Sequence, residues 1–394
     1  MEGFRCEEYD AIVVGAGLAG SVVARYIAET LDKRVAIIER RNHIGGNLYD
    51  YRAESGILVH KYGPHTFHTK KKELYDYICK YAQWEEYHLE CMAKINGRFT
   101  PTPFNFETID EYFEKDKADK IKNAIHEEYP GCDYATVLEL LKHDNNYIRE
   151  YAEFLFENDY SLYTAKQWGM NPKDIDPSVL KRVPIRFNYE RGYFDDEFQC
   201  MPEVSYVDFF SKLHEHKNID VFLNIDAKQY LQLKDNNIFW SDDRYEGIVV
   251  YTGAIDELFN CESGALPYRS LRFEWVTEEQ ESIQDAPVVA YPQEPDFTRI
   301  TEYNKLPVQS GFNVTTYAVE YSIPYTSGEN AEPYYPIPTP DTKKLYQKYR
   351  SKAGKVRNLY LCGRLADYQY YNMDQTLENA LSICEVIKQG IKGR

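Results

Sequence analysis

The chain has no run of apolar residues approaching the roughly eighteen that a membrane-spanning helix requires, and no apolar core near its first residues. A cytoplasmic protein without a membrane segment is expected. Metal-ligand spacing is also missing. The eight cysteines, at 6, 79, 91, 132, 200, 261, 362 and 384, form no C-x-x-C, so they read as reduced packing thiols and no metal is expected. Positive charge is scarce: 46 Lys and Arg face 63 Asp and Glu, a net charge of −17 that argues against non-specific binding to nucleic acid or anionic membrane. An anionic substrate would therefore need arginines placed locally against that field. No internal repeat or low-complexity tract appears.

What is present begins at Tyr9. The apolar run Ala11 to Val14 stops at Gly15, Gly17 and Gly20, spaced G-x-G-x-x-G, and a helical pattern follows from Ser21 to Thr30. In such a strand, turn and helix the first glycine makes the tight turn. The second lets the backbone approach a pyrophosphate, and the third lets the helix pack closely on the strand. The helix N-terminus offers free amides and a positive dipole end to phosphate. A second apolar strand, Arg34 to Glu39, ends in an acid about 20 residues past the glycines, placed for ribose hydroxyls and hostile to a 2′-phosphate. The sequence continues Arg40-Arg41-Asn42-His43-Ile44-Gly45-Gly46-Asn47. That glycine pair resembles the extended fingerprint of FAD enzymes related to amine oxidases and to guanine-nucleotide dissociation inhibitors, so FAD is the expected dinucleotide.

At 394 residues the chain has room for two or three domains. Its 36 tyrosines suit surfaces that are part apolar and part wet, such as sugar and nucleotide pockets. Lys70 to Tyr81 reads as a helix, and Met92 to Phe106 as a hairpin turning at Asn96-Gly97. Glu107 to Asn158 is helical by its three-and-four spacing. Ile185 to Tyr189 alternates like a strand. Ile219 to Asn224 with Ile238 to Trp240 suggests a β-rich return, and Glu246 to Ala254 a buried strand entering a glycine turn. Tyr268 to Tyr321 suggests an antiparallel sheet, Leu359 to Arg364 a strand, and Met373 to Lys388 a closing helix. The fold class is α/β: a Rossmann-like FAD-binding domain (1–82, 200–262 and 341–394), a small helical insertion (107–183) and an antiparallel β-sheet domain (83–106, 184–199 and 263–340).

Several stretches together resemble the prokaryotic UDP-galactopyranose mutases, in the family's order and over nearly the whole chain. They are Tyr62 to Thr69, Lys166 to Gly169, Pro184 to Tyr189, Tyr251 to Asp256, Tyr268 to Leu271, Thr298 to Glu302, Pro333 to Pro336 and Gly363 to Leu365. The resemblance implies isomerisation of UDP-galactopyranose to UDP-galactofuranose without net redox change. It implies FAD in its reduced form, with N5 acting as nucleophile on the anomeric carbon. It also implies a homodimer and a transient reductant such as NAD(P)H.

The same resemblance assigns roles. Arg186 and Arg269 are carried over as the diphosphate clamp, a task suited to guanidinium forks. Tyr163 is the uracil-stacking residue and Trp168 belongs to a loop that closes over the nucleotide. His65 and His68 lie against the flavin as catalytic candidates; the pair alone does not complete a metal site. Asn188, Tyr193, Glu302, Tyr335 and Tyr370 join the substrate contacts, while Arg40, Gly46, Asn47, Gly363, Arg364 and Met373 join Gly15, Gly17, Gly20 and Glu39 at the cofactor. Two departures stand out: Asn372 where an acid is expected, and Tyr303-Asn304-Lys305 without the usual histidine. The competing readings are an amine-oxidase-like FAD oxidoreductase, disfavoured by Asn47 after the glycine pair, and a non-catalytic binding protein on the same scaffold.

Overall fold

The computed structural model describes residues 4–169, 183–326 and 331–392. Strand β1 (Ala11–Val14) pairs in parallel with β2 (Val35–Ile38) on one side and with Ile248–Tyr251 on the other; Ile219–Phe222 and Leu359–Leu361 complete a five-stranded parallel sheet. Both faces are covered, which is why these strands read as unbroken apolar runs rather than alternating ones. Helix α1 (Leu18–Thr30) and the closing helix Met373–Lys392 cover one face, with Val22, Val23 and Ile27 sharing a core with Leu377, Ala380 and Ile387. On the other face Ile12, Ile38 and Val249 pack with Trp240, Tyr245 and Tyr349. The chain leaves β1 first to one side and later to the other, so a crevice opens at the carboxyl end of β1.

Ile219–Phe222 forms a strand, as its apolar run suggests. It joins the parallel sheet at its edge beside β2, while Ile238–Trp240 lies in a separate three-stranded meander. Short apolar runs do not encode their partner. The helix expected over 70–81 is shorter, Lys72–Ile78.

The second large unit is a seven-stranded sheet in the spatial order Tyr335–Pro336, Tyr268–Glu278, Thr315–Pro324, Arg299–Glu302, Val288–Ala290, Cys91–Ile95 and Arg98–Thr102. It is antiparallel except where Val288–Ala290 runs parallel to Cys91–Ile95. The last two strands form the hairpin read from Asn96-Gly97, whose φ values of 50° and 79° are those a two-residue turn demands.

The helical insertion packs on the hairpin edge of this sheet: Phe106–Tyr112, Lys115–Glu128, Val137–Leu140 and Asn146–Leu155, then a π-helical turn, Phe156–Tyr160, and Ser161–Trp168. Ile109, Ile121, Leu140, Ile148 and Leu155 close its core, and capping boxes at Asn105 and Thr136 fix two helix starts. Among the described residues no helix is long and apolar enough to cross a membrane.

Candidate active site

The crevice beside β1 encloses about 1270 Å³, part of it open to solvent. Gly15 turns the chain there at φ +107°, and a Cβ on it would stand 2.1 Å from Thr252 Oγ1, so only glycine closes this turn. Helix α1 starts at Leu18 with Gly17 as its N-cap and no capping side chain, which leaves its first amides for a ligand. Glu39 is held at the wall: Oε2 accepts from Ala16 N at 2.9 Å and Oε1 from Arg41 N at 2.8 Å. Each oxygen keeps a further lone-pair direction for ribose hydroxyls. Gly20, Arg40, Gly46 and Asn47 line the same end, and both Arg40 and Arg41 pair with Glu332 across the mouth. The far end is walled by His65, Gly363, Arg364 and Met373. Amides for a pyrophosphate, a carboxylate for a ribose and a broad far end together fit an extended dinucleotide.

A second compartment adjoins that far end, against the seven-stranded sheet. The register makes Arg269 and Tyr335 cross-strand partners, as it does Arg299 and Glu320, and alternation brings Arg269, Phe273, Ser322, Glu320, Arg299 and Tyr335 to one face. Arg299 is bonded through Nε and Nη2 to Glu320 Oε2, at 2.8 and 2.7 Å. Although burial alone would lower its pKa, Glu320 holds the guanidinium well above its ordinary value. Tyr335 stacks on Tyr370 with centroids 5.4 Å apart, and the Arg364 guanidinium carbon lies 4.8 Å from the Tyr370 ring. Burial, reinforced by Arg364 and Arg299, holds the His65 imidazole down at about 3, so it is neutral and serves as a hydrogen-bonding group. Tyr163, half-buried and electrostatically coupled to Arg299, Glu320 and Tyr193, closes the compartment from the helical side. Arg299, Arg364, the stacked Tyr335 and Tyr370 and the neutral His65 imidazole thus lie together at the crevice's far end.

The sequence profile of the UDP-galactopyranose mutase family matches residues 158–370, and that of an NAD(P)-binding Rossmann-like domain matches 13–81. A UDP-galactopyranose mutase of Mycoplasma genitalium is 36% identical over 376 residues, covering 94% of this chain and 92% of its own. The chain belongs to the UDP-galactopyranose mutase family. It is also similar to a dTDP-fucopyranose mutase of Escherichia coli, 32% identical over 95% of this chain and 97% of that one. A crystal structure of a reduced UDP-galactopyranose mutase superposes with a TM-score of 0.72 at 15% identity, over 96% of this chain and 93% of the other, a likeness of fold.

Within this mutase-family frame the residues read from sequence divide. Arg269 shares the sheet face with Arg299, but its Nε donates to Gln167 O at 3.1 Å and its Nη2 to Ser322 Oγ at 3.0 Å, so it grips the C-terminal end of the helix carrying Tyr163. Arg186, 4% exposed, is engaged by Gly192 O and Asp195. Tyr193 stands beside Tyr163, whereas Asn188 lines a separate hollow with Phe106, Lys122 and His126 and caps its own turn at Glu190 N, 3.0 Å away. His68 lies off the cofactor crevice: its ring stacks on Phe194, centroids 3.6 Å apart, and its Nδ1 meets Asp196. The side chain of Trp168 lies outside the described residues.

Glu302 needs correction. It follows Arg299 by three positions on a strand, an odd step that turns it to the opposite face. There it is fully buried and saturated by Ile283 N, Thr315 Oγ1, Ser282 Oγ and Lys305 Nζ, at 3.0, 2.7, 3.1 and 3.4 Å. Lys305, the departure noted in the sequence, is thus the partner of a structural carboxylate. Glu302→Gln is expected to cost about 1–3 kcal/mol of stability through its weakened acceptors while leaving KM unchanged, read by thermal melting beside steady-state kinetics. Arg299 stands in the compartment although the sequence singles out only the motif that contains it, Thr298 to Glu302. The signal was an arginine on the cleft-facing parity of that strand, legible once the face is known.

Proposed function

We propose that the protein interconverts UDP-galactopyranose and UDP-galactofuranose with FAD held in the crevice beside β1. The observation that carries this reading is the cationic, tyrosine-lined compartment at the crevice's far end, the counterpart a nucleoside diphosphate needs in a chain of net charge −17. Gly15, Gly17, Glu39 and Gly46 at one end of the crevice and His65 and Arg364 at the other would hold FAD, which in its reduced form would supply N5 as a nucleophile for the anomeric carbon, with no net redox change.

The chain's own residues do the rest. Arg299, fixed by Glu320, and Arg364, whose Nη2 donates to Tyr371 O at 2.6 Å, hold the diphosphate both while it is bonded and as leaving group. Tyr335 and Tyr370 add phenolic hydroxyls to that cradle. Tyr163 stacks on the base, and Trp168 belongs to the segment that closes over it and excludes water. Arg186 and Arg269 complete the clamp on this reading, Arg186 by exchanging Asp195 for phosphate and Arg269 by fixing the helix that ends at Trp168. His65 hydrogen-bonds beside the flavin without carrying charge. On the same reading NAD(P)H or another reductant meets the flavin transiently, and the chain works in the cytoplasm as a homodimer.

Photoreduced or dithionite-reduced protein is expected to interconvert the two UDP-sugars, and oxidised protein to leave them unchanged, as followed by chromatography. Because a dTDP-fucopyranose mutase is nearly as similar as the UDP-galactopyranose mutases, the assay offers both sugar nucleotides. Equal turnover in the two redox states would defeat the nucleophilic role given to the flavin.

A further inference from the structure

The helix that carries Tyr163 changes pitch just before it. Its buried positions run Ile148, Tyr151, Ala152 and Leu155, the spacing of an α-helix, which would put residue 159 in the core next. Instead Phe156–Tyr160 winds as a π turn, with Ser161 N–H reaching back to the Phe156 carbonyl, and the next buried side chain is Tyr160. Tyr160 packs on Phe104, ring centroids 5.6 Å apart, and donates to Val183 O at 2.8 Å. Asp159 is thereby turned off the core. Four residues before Tyr163, it lies on the same side of the helix, and the two groups are electrostatically coupled.

Asp159 is only half-covered by its neighbours yet lies deep enough that burial pushes its carboxyl up to about 7, against the pull of Lys166. Among the described residues it has no hydrogen bond and no ion pair. Lys166 instead gives its ammonium to the carbonyls of Tyr291 and Glu294. A carboxyl held in such a place without a partner among the described residues costs stability, and a group that arrives with the ligand is the partner it lacks there.

Resting on the reading above that Tyr163 stacks on the nucleobase, we propose that Asp159 reads the edge of that base, its carboxylate accepting the imide N3–H of uracil. One side of the helix then stacks on the base and also reads it. Cytosine carries a lone pair at N3, which faces the carboxylate unfavourably, while the ribose and both phosphates are identical in the two nucleotides. Asp159 is thus a specificity-determining residue for the base.

The test is calorimetric titration of flavin-loaded enzyme with UDP and CDP at pH 8, where the carboxyl is mostly ionised. The parent is expected to favour UDP by roughly tenfold to a hundredfold, the scale of one good base contact. Asp159→Asn, which can either accept from uracil N3–H or donate to cytosine N3, should bring the two affinities within about threefold of each other. Exposed Glu157→Gln should leave the parent's preference intact. An unchanged UDP-to-CDP ratio in Asp159→Asn overturns the inference, and Asp159→Ala, which should erase the preference without supplying a new donor, checks the same ratio independently. If the parent itself fails to bind UDP, the reading of the compartment as a nucleotide site falls as well, so the two failures are distinguishable.

Discussion

Arg299→Ala is expected to lower kcat/KM by about 10²–10³-fold with flavin content unchanged, the loss that follows removal of one charge-stabilising donor from a water-excluded site. Arg299 does more than balance Glu320, because it shares its sheet face and its field with Tyr163, Tyr335 and His65. Deleting it also leaves the buried Glu320 carboxylate unpaired, at a cost of about 3–5 kcal/mol in stability. The catalytic and stability losses separate in the double variant. Arg299→Ala with Glu320→Gln removes the orphaned charge, so the melting temperature should largely recover while turnover stays low. Arg299→Lys keeps a cation but loses the fork that binds Glu320 through two donors, and is expected to fall between. Activity of Arg299→Ala within tenfold of the parent would remove the residue from the diphosphate cradle.

Arg299 also marks the limit of what could be read in the sequence. The dinucleotide crevice was legible because its signal is local: a strand, three glycines, a helix and an acid fall within a few tens of residues, and each answers a separate steric or electrostatic demand. Gly15, Glu39 and Gly46 line the crevice they were expected to line. The second compartment is assembled from distant stretches, and there a motif gives the neighbourhood without the face. Glu302 and Arg299 stand in the same five residues, yet alternation sends one into the core and the other to the cleft. Asn188 is bound to its own turn for the same kind of reason, since a motif that reads as one strand has only Ile185–Arg186 paired before the chain bends away. Ile219–Phe222 shows the limit for topology, because an apolar tetrapeptide is compatible with a meander or with a parallel edge until β2 is seen beside it.

The other large effect is expected at the opposite end of the crevice, where Gly15→Ala should purify with little flavin and lose turnover in proportion. Two costs act together. The backbone at φ +107° is one that an L side chain adopts only under strain, of order 1–3 kcal/mol. The new methyl would also stand 2.1 Å from Thr252 Oγ1, whose hydroxyl donates to Val14 O at 2.7 Å and so ties the turn to β1. Relief of that contact moves either the turn or Thr252, and both line the crevice. Thr252→Ala on the Gly15→Ala background removes the colliding oxygen but not the strained φ, so flavin content by absorbance should return only in part. The missing remainder measures the backbone term. Full flavin content in Gly15→Ala alone would show that the crevice closes around its ligand without this turn, and the assignment of the first glycine would fail.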